Sequence, residues 1–262
     1  MVEFDHWAKY YDVIHSGLSG EMEFYRTRCT QRGGRILELG CGTGRVLLAL
    51  AETGLSVTGL DQSKKMLDVC RQKIESNETS LPKVDLVHGD MRDFQFDSTF
   101  DTIVLPYRTL MHVVRPAQQL QCLRSIRNNL SADGRVFLNV WVPDHGYIHF
   151  FREGGDESEM NFVENYDLPD TPNRLDHFHK VITYPQEQLI IEEHLLIELN
   201  GRGDEVSRQT LPMTRTWYTF REMNWLIHSA GFETVNVWGD FLEAPLSEES
   251  EESVWELQIR RP

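Results

Sequence analysis

Apolar positions along the chain recur in two rhythms, and their alternation predicts the architecture. Short apolar runs fall at 35–39 and 55–60, and between them Val46, Leu47, Leu50 and Ala51 return at helical spacing, which predicts strand 35–39, helix 44–53 and strand 55–60. After Asp61, Ser63 can cap a helix whose Met66, Leu67, Cys70 and Ile74 share one face. A third strand is expected at 84–88. Thr102-Ile103-Val104-Leu105 is almost wholly apolar, as a central parallel strand buried on both faces requires. Leu120, Leu123, Ile126 and Leu130 then mark a helix over 116–130, and Asp133-Gly134 is expected to turn the chain into a fifth strand at 135–141.

The rhythm breaks over 145–217. Residues 174–184 alternate loosely, 189–199 form a second strand-like run, Asn200-Gly201 offers a hairpin-type turn, and 208–218 can return as a third strand. This reads as a small antiparallel sheet inserted into the α/β core, with residues 1–144 and 218–262 as the core and 145–217 as a substrate or lid subdomain. Helical pattern resumes at Thr219, where Thr219 and Glu222 have capping-box spacing, and stops at Ala230-Gly231. Residues 234–238 and 254–259 supply strands six and seven. The acids Glu248, Glu249, Glu251 and Glu252 between them read as a solvated loop.

The chemistry concentrates at strand ends. Gly40-Cys41-Gly42-Thr43-Gly44 follows the first strand and opens the first core helix, the place where a doubly wound sheet receives a nucleoside-bearing ligand. A dinucleotide fingerprint would need a third glycine where Arg45 stands, so the pyrophosphate reading weakens. Glu38 precedes the turn, Asp61 ends the second strand where a carboxylate can grip ribose hydroxyls, and Asp90 follows the third.

With these residues in hand, the chain resembles the class I S-adenosylmethionine-dependent methyltransferases. Glu38 to Gly44, Gly59-Leu60-Asp61-Gln62-Ser63 and Gly89-Asp90-Met91 look like that family's successive cofactor motifs, in order and spacing, and the resemblance extends over roughly residues 30–142 and roughly the final 40. It implies a Rossmann-like seven-stranded α/β sheet whose last two strands form an antiparallel edge hairpin. It also implies that the glycine turn, through Gly40, Cys41 and Gly42, lies along the methionine part of S-adenosylmethionine. Asp61 would hold the ribose, Asp90 the adenine amino group with Met91 beside the ring, and Glu38, Gln62, Met66 and Pro106 would complete the cofactor site, with S-adenosylhomocysteine as the product. His112 aligns with a histidine that small-molecule methyltransferases of this type carry after strand four, and Tyr11 belongs to an N-terminal Tyr-Asp element that closes over the cofactor. These two are the catalytic candidates. Tyr107, Arg215 and Trp217 are the candidates for acceptor binding.

Composition narrows the acceptor. Forty-one acids face 26 Lys and Arg, a formal net charge of −15, which disfavours a nucleic-acid partner because affinity for phosphate backbones rests on cationic side chains. Four cysteines without a C-x-x-C pair suit free thiols in a reducing compartment. The acidic start lacks an apolar leader and no long uncharged apolar stretch occurs, so a cytoplasmic enzyme without membrane attachment, monomeric or homodimeric, is the expectation. His177, His179 and His194 raise the idea of a metal, but no cysteine or tight ligand spacing accompanies them, and none is expected. G-x-S-x-G, H-E-x-x-H and P-loop signatures are absent. The function expected is methyl transfer to a nitrogen or oxygen of a small-molecule acceptor; the alternative is a catalytically silent S-adenosylmethionine-binding or interaction protein.

Overall fold

Alternating apolar runs assemble a seven-stranded mixed sheet, seen in a computed structural model that describes residues 3–77, 84–152 and 157–261. Two short helices, α1 (Tyr11–Ile14) and α2 (Glu21–Arg32), lead into β1 (Arg35–Leu39), α3 (Arg45–Ala51), β2 (Ser56–Asp61), α4 (Lys64–Ser76) and β3 (Val84–His88). β4 (Phe100–Leu105), α5 (Pro116–Asn129) and β5 (Leu130–Trp141) complete the parallel part. Next come α6 (His145–Arg152), β6 (Glu157–Asp167), β7 (Arg174–Tyr184), β8 (Leu189–Leu199) and β9 (Glu205–Thr216), then α7 (Phe220–Ser229), β10 (Phe232–Trp238) and β11 (Glu252–Ile259). The main sheet has the order β10-β11-β5-β4-β1-β2-β3, with β11 antiparallel to both neighbours. The order reverses between β4 and β1, so a crevice opens at their carboxyl ends.

Local chemistry fixes the helix starts. Ser63 Oγ accepts from the Met66 amide at 3.2 Å and caps α4. The expected capping box forms at α7, where Thr219 Oγ1 accepts from the Glu222 amide at 3.3 Å and Glu222 Oε2 accepts from the Thr219 amide at 2.8 Å. One core cluster, with Leu37, Leu105, Leu138 and Trp255, covers one face of the sheet, and a second, with Ile36, Leu47, Val104 and Phe137, covers the other.

Two expectations need correction. Asp133-Gly134 does not break the chain: β5 runs through it, with the extra length absorbed by a register irregularity against β4. The second sheet has four strands, β6-β7-β8-β9, rather than three, and α6 precedes it. β6 escapes a pattern reading because it is an exposed edge strand in which Phe162 and Val163 are both solvent-facing, leaving no alternation to detect. β8, in contrast, buries Ile190, Glu192, His194, Leu196 and Glu198 at strictly alternate positions. The turn after it uses Asn200 differently from a two-residue hairpin. Its Oδ1 accepts from the amides of Arg202 at 2.9 Å and Asp204 at 3.0 Å, so β9 begins at Glu205.

The second sheet joins the core through a third cluster. Trp7, Ala8 and Tyr10 of the N-terminal segment pack between Met66 of α4 and Leu175, Leu196, Leu211 and Met213 of the insertion. β9 also packs on the one-turn helix Thr109–His112 that follows β4, so the insertion sits over the crevice.

Candidate active site

The crevice floor is the glycine turn. Gly40 and Gly42 have φ of +67° and +54°, the left-handed region where a side chain is costly. A Cβ on Gly40 would stand 2.6 Å from the Thr109 methyl, whereas one on Gly42 would meet nothing within 4 Å, so the space above Gly42 is open for a ligand. The Gly42 amide donates to Asp61 Oδ2 at 2.8 Å and the Ser63 amide to Oδ1 at 2.7 Å. These bonds orient the Asp61 carboxylate and leave further lone pairs for two neighbouring hydroxyls. Burial pushes the Asp61 acid up, and the two backbone amides work against that rise. Beneath the turn, burial raises Glu38 well above the usual carboxylate range, and its Oε2 has no hydrogen-bond partner. An orphaned buried acid, an oriented carboxylate and an open glycine face fit a nucleoside with a charged amino-acid tail.

The wall is strained. Tyr107 and Arg108 both occupy the left-handed region, at φ +53° and +64°, which costs on the order of 1–3 kcal/mol for each non-glycine residue. The surroundings hold them there. The Tyr107 amide donates to the buried Glu21 at 2.8 Å, the Arg108 amide to Asn139 at 3.3 Å, and the Arg108 guanidinium to Glu252. The backbone thereby swings Thr109–His112 across the sheet end. His112 is partly buried, and its Nδ1 lies 3.3 Å from the Thr214 carbonyl of β9. A carbonyl only accepts, so Nδ1 carries the proton and Nε2 keeps its lone pair. Burial first, and the Arg215 charge second, pull His112 down to about 4, so it is neutral near pH 7.

The roof is the N-terminal segment. Phe4 meets the His112 ring edge-on at 4.9 Å and Tyr11 packs on His15 at 4.7 Å. Ser63 Oγ donates to Asp5 at 2.7 Å, and Asp12 accepts from Thr43 Oγ1 at 2.5 Å and pairs with Lys73 at 2.6 Å, which ties the roof to the turn and to α4. Burial, chiefly, raises the Tyr11 phenol, so it stays protonated.

Two cavities meet beneath this roof. The narrower, about 80 Å³, runs over Gly40, Gly42, Asp61, Gln62 and Met66. The wider, about 210 Å³, is walled by His15, Glu192, His194, Met213 and Arg215. Tyr11, Tyr107 and His112 line both and mark the junction. Arg215 grips Glu192 through Nε at 2.7 Å and Nη2 at 2.5 Å. Burial would raise Glu192, but His179 and Arg215 outweigh it and the carboxyl falls to about 2.

The structure therefore brings together Tyr11, Gly40, Gly42, Asp61, Gln62, Met66, Tyr107, His112 and Arg215. It sets others apart. Cys41 is a buried thiol packed against Gly59, and Pro106 is buried at the end of β4 without lining either cavity. Asp90 is spent on Arg92, whose backbone amide and guanidinium both donate to it and hold it below the usual carboxylate range. Met91 packs against the core cluster. Trp217 is buried in that same cluster and borders a separate cleft beside Val142 and Gln188, away from the junction. Sequence reasoning passed over Phe4, His15, Glu192 and Met213. Glu192 carried a signal, a charged residue in the inward phase of an otherwise apolar strand; the others become visible only when distant segments meet.

Comparison with known proteins agrees with this geometry. The family described as "Methyltransferase domain" matches residues 36–134. The putative methyltransferase YqeM of Bacillus subtilis (strain 168) is 30% identical over 209 residues, spanning 70% of this chain and 78% of that protein. Cypemycin N-terminal methyltransferase of Streptomyces sp is 28% identical over 251 residues, 95% of this chain and 94% of the relative. Among solved structures, the CcbJ methyltransferase from Streptomyces caelestis superposes with a TM-score of 0.80 over 99% of this chain and 98% of its own, at 22% identity, a likeness of fold. Nothing in these comparisons favours a silent binding protein. From the ordered strand-end residues, the seven-stranded sheet and these relatives together, the chain belongs to the class I S-adenosylmethionine-dependent methyltransferases.

Proposed function

We propose that the protein methylates an amine of a small polar acceptor held in the wider cavity, with His112 as the base and Tyr11 as a neutral positioning phenol. The carrying observation is the junction: Tyr11, Tyr107 and His112 line the cavity over the glycine turn and the one under the insertion alike. S-adenosylmethionine supplies an electrophilic methyl group on a sulfonium, and the protein has to align a nucleophile with it and keep water out. Gly40, Gly42, Asp61, Gln62 and Met66 would hold it, with Glu38 beneath its amino-acid tail. With that cofactor bound, the acceptor nitrogen would form the new bond to carbon as the bond to sulfur breaks, and its proton would pass to His112 Nε2, then to water. The fixed Nδ1 proton on Thr214 leaves that nitrogen free to take it. Tyr11 and Tyr107 fix the acceptor's approach, while Arg215 and Glu192 hydrogen-bond its polar groups.

A nitrogen acceptor is favoured because it needs only to lose a proton from an ammonium, and neutral imidazoles line the cavity. The name of a Streptomyces fradiae relative, a dTDP-3-amino-3,6-dideoxy-alpha-D-glucopyranose N,N-dimethyltransferase, points to nitrogen as well. With a net charge of −15, a nucleic acid is the least fitting acceptor. Release of S-adenosylhomocysteine with panels of small amines, phenols and carboxylates tests this reading. Turnover with amines and loss of it in His112→Ala is the expected result; turnover confined to phenols or carboxylates refutes the nitrogen assignment.

A further inference from the structure

The insertion carries a polar cluster of which the proposed methyl transfer uses only Glu192. β7 and β8 pair antiparallel with His179 directly opposite His194, and period-2 geometry puts His177, His179, Glu192 and His194 on the same inward face. His177, Glu192 and His194 are each more than nine-tenths buried. The His194 Nε2 atom is buried without a hydrogen bond. The His179 Nε2 atom is equally buried and lies 3.3 Å from Glu192 Oε1, a contact that does not reach hydrogen-bond geometry. Among the described residues, one donor atom from each of His179, Glu192 and His194 lies within 4.8 Å of the others. Leaving such buried groups unsatisfied costs stability, so something is expected to use them.

From this geometry we infer a binding site for one borderline divalent transition-metal ion, such as Zn²⁺ or Co²⁺, with His179 Nε2, His194 Nε2 and Glu192 as ligands. The spacing suits it. Two donors each 2.0–2.1 Å from a tetrahedral ion stand about 3.3 Å apart, which is the separation of His179 Nε2 and Glu192 Oε1. The tautomers suit it too. His194 Nδ1 is 2.9 Å from His177 Nε2, so a proton donated from Nδ1 leaves Nε2 bare and orients the ring, the arrangement metal-bound histidines use. His177 thus acts as an orienting residue. Arg215 occupies one lone pair on each Glu192 oxygen and fixes the carboxylate plane, leaving the second pair on each. Its positive charge lowers the net ligand charge, which disfavours hard ions that need several carboxylates and favours one held by imidazoles. The remaining coordination positions face the wider cavity, which Glu192 and His194 line.

The test measures binding without acceptor or turnover, so its outcome is independent of the proposed methylation. The full chain, free of any histidine tag and stripped by chelator, is titrated with Zn²⁺ by calorimetry and with Co²⁺ by visible absorption. One ion per chain, cobalt bands of four- or five-coordinate intensity and at least 100-fold preference over Mg²⁺ are expected. His179→Gln should weaken binding at least 10-fold, His194→Gln more, and His177→Asn by 10–100-fold through lost orientation. Because His194 is buried, S-adenosylhomocysteine binding serves as the folding control for each variant, and His179, whose side chain is 25% exposed, gives the variant least disturbing to the fold. Absence of stoichiometric binding by folded protein, or binding unchanged in His179→Gln, overturns the site.

Discussion

At the scale of single residues, the cofactor cradle depends on Asp61 and Gly42, which differ in how they act. Asp61 accepts from two backbone amides, so Asp61→Ala removes the bonds meant for the ribose together with the carboxylate that anchors the Gly42 and Ser63 amides. Charged hydrogen bonds of this kind are worth about 1.5–3 kcal/mol, and calorimetry with S-adenosylhomocysteine should show affinity falling by about 10–150-fold. Gly42→Leu should act by steric blockage and backbone strain, since a side chain there points into open space from a left-handed backbone. Equal affinity in both variants would place the cofactor elsewhere. His112→Ala should lower kcat by about 10²–10⁴-fold, the range for lost acid–base catalysis, while cofactor affinity changes by only a few-fold; the reverse split would make His112 a wall of the cofactor site. Glycines and acids at strand ends were legible in the sequence because their spacing is local. Asp90 was legible as an acid at a strand end, but its commitment to Arg92 depends on side-chain geometry that no spacing reveals.

At the scale of elements, the site is three segments brought to one strand end: the glycine turn, the strained loop after β4 and the N-terminal roof. Period-2 and period-3.6 patterns exposed the core strands, the Ser63 cap and the capping box of α7, because each buries one face or closes a bond within a few residues. β6 stayed hidden since an edge strand with both faces wet carries no alternation, and the convergence of His15, Glu192 and Met213 was hidden because it is tertiary. The roof invites its own test. Both cavities are smaller than the roughly 300–1,000 Å³ of typical small-molecule sites, so movement of the segment from Glu3 to Ile14 is expected to accompany ligand entry and exit. Asp12 ties it down through Thr43 and Lys73. Asp12→Ala should therefore speed product dissociation several-fold in stopped-flow measurements and raise the KM for S-adenosylmethionine, with a melting temperature close to that of the parent. Unchanged dissociation would mean that the roof is not the gate. Deleting 145–217 outright is a poor probe of acceptor binding, because Trp7, Tyr10 and Met66 would lose the apolar surface they pack against.

At the scale of the whole molecule, the inserted sheet, the roof and the strand-4 loop gather His15, His112 and His194 around the wider cavity, with His177 against His194, and this sets how stability follows pH. His15, His112 and His177 titrate at about 4 and His194 at about 3, against an ordinary 6.5, with burial the leading cause in each. Between these values the unfolded chain binds protons that the folded chain refuses, so acidification favours unfolding. The stabilising contribution is complete above pH 6.5 and is lost as pH falls through about 4. For His112 alone the displacement corresponds to on the order of 3 kcal/mol, a large share of the 5–15 kcal/mol that holds a typical domain together. Glu192 belongs to a lower window, since its carboxyl sits at about 2 instead of 4.5 and its ion pair with Arg215 persists until well below pH 4. Denaturant melts in chelator should therefore lose stability steeply from pH 6.5 to 4, and His15→Phe, which keeps an aromatic ring against Tyr11 and Trp7, should flatten that slope by about one proton. A parent slope no steeper than that of the variant would show that the imidazoles reach solvent and titrate normally in the folded chain.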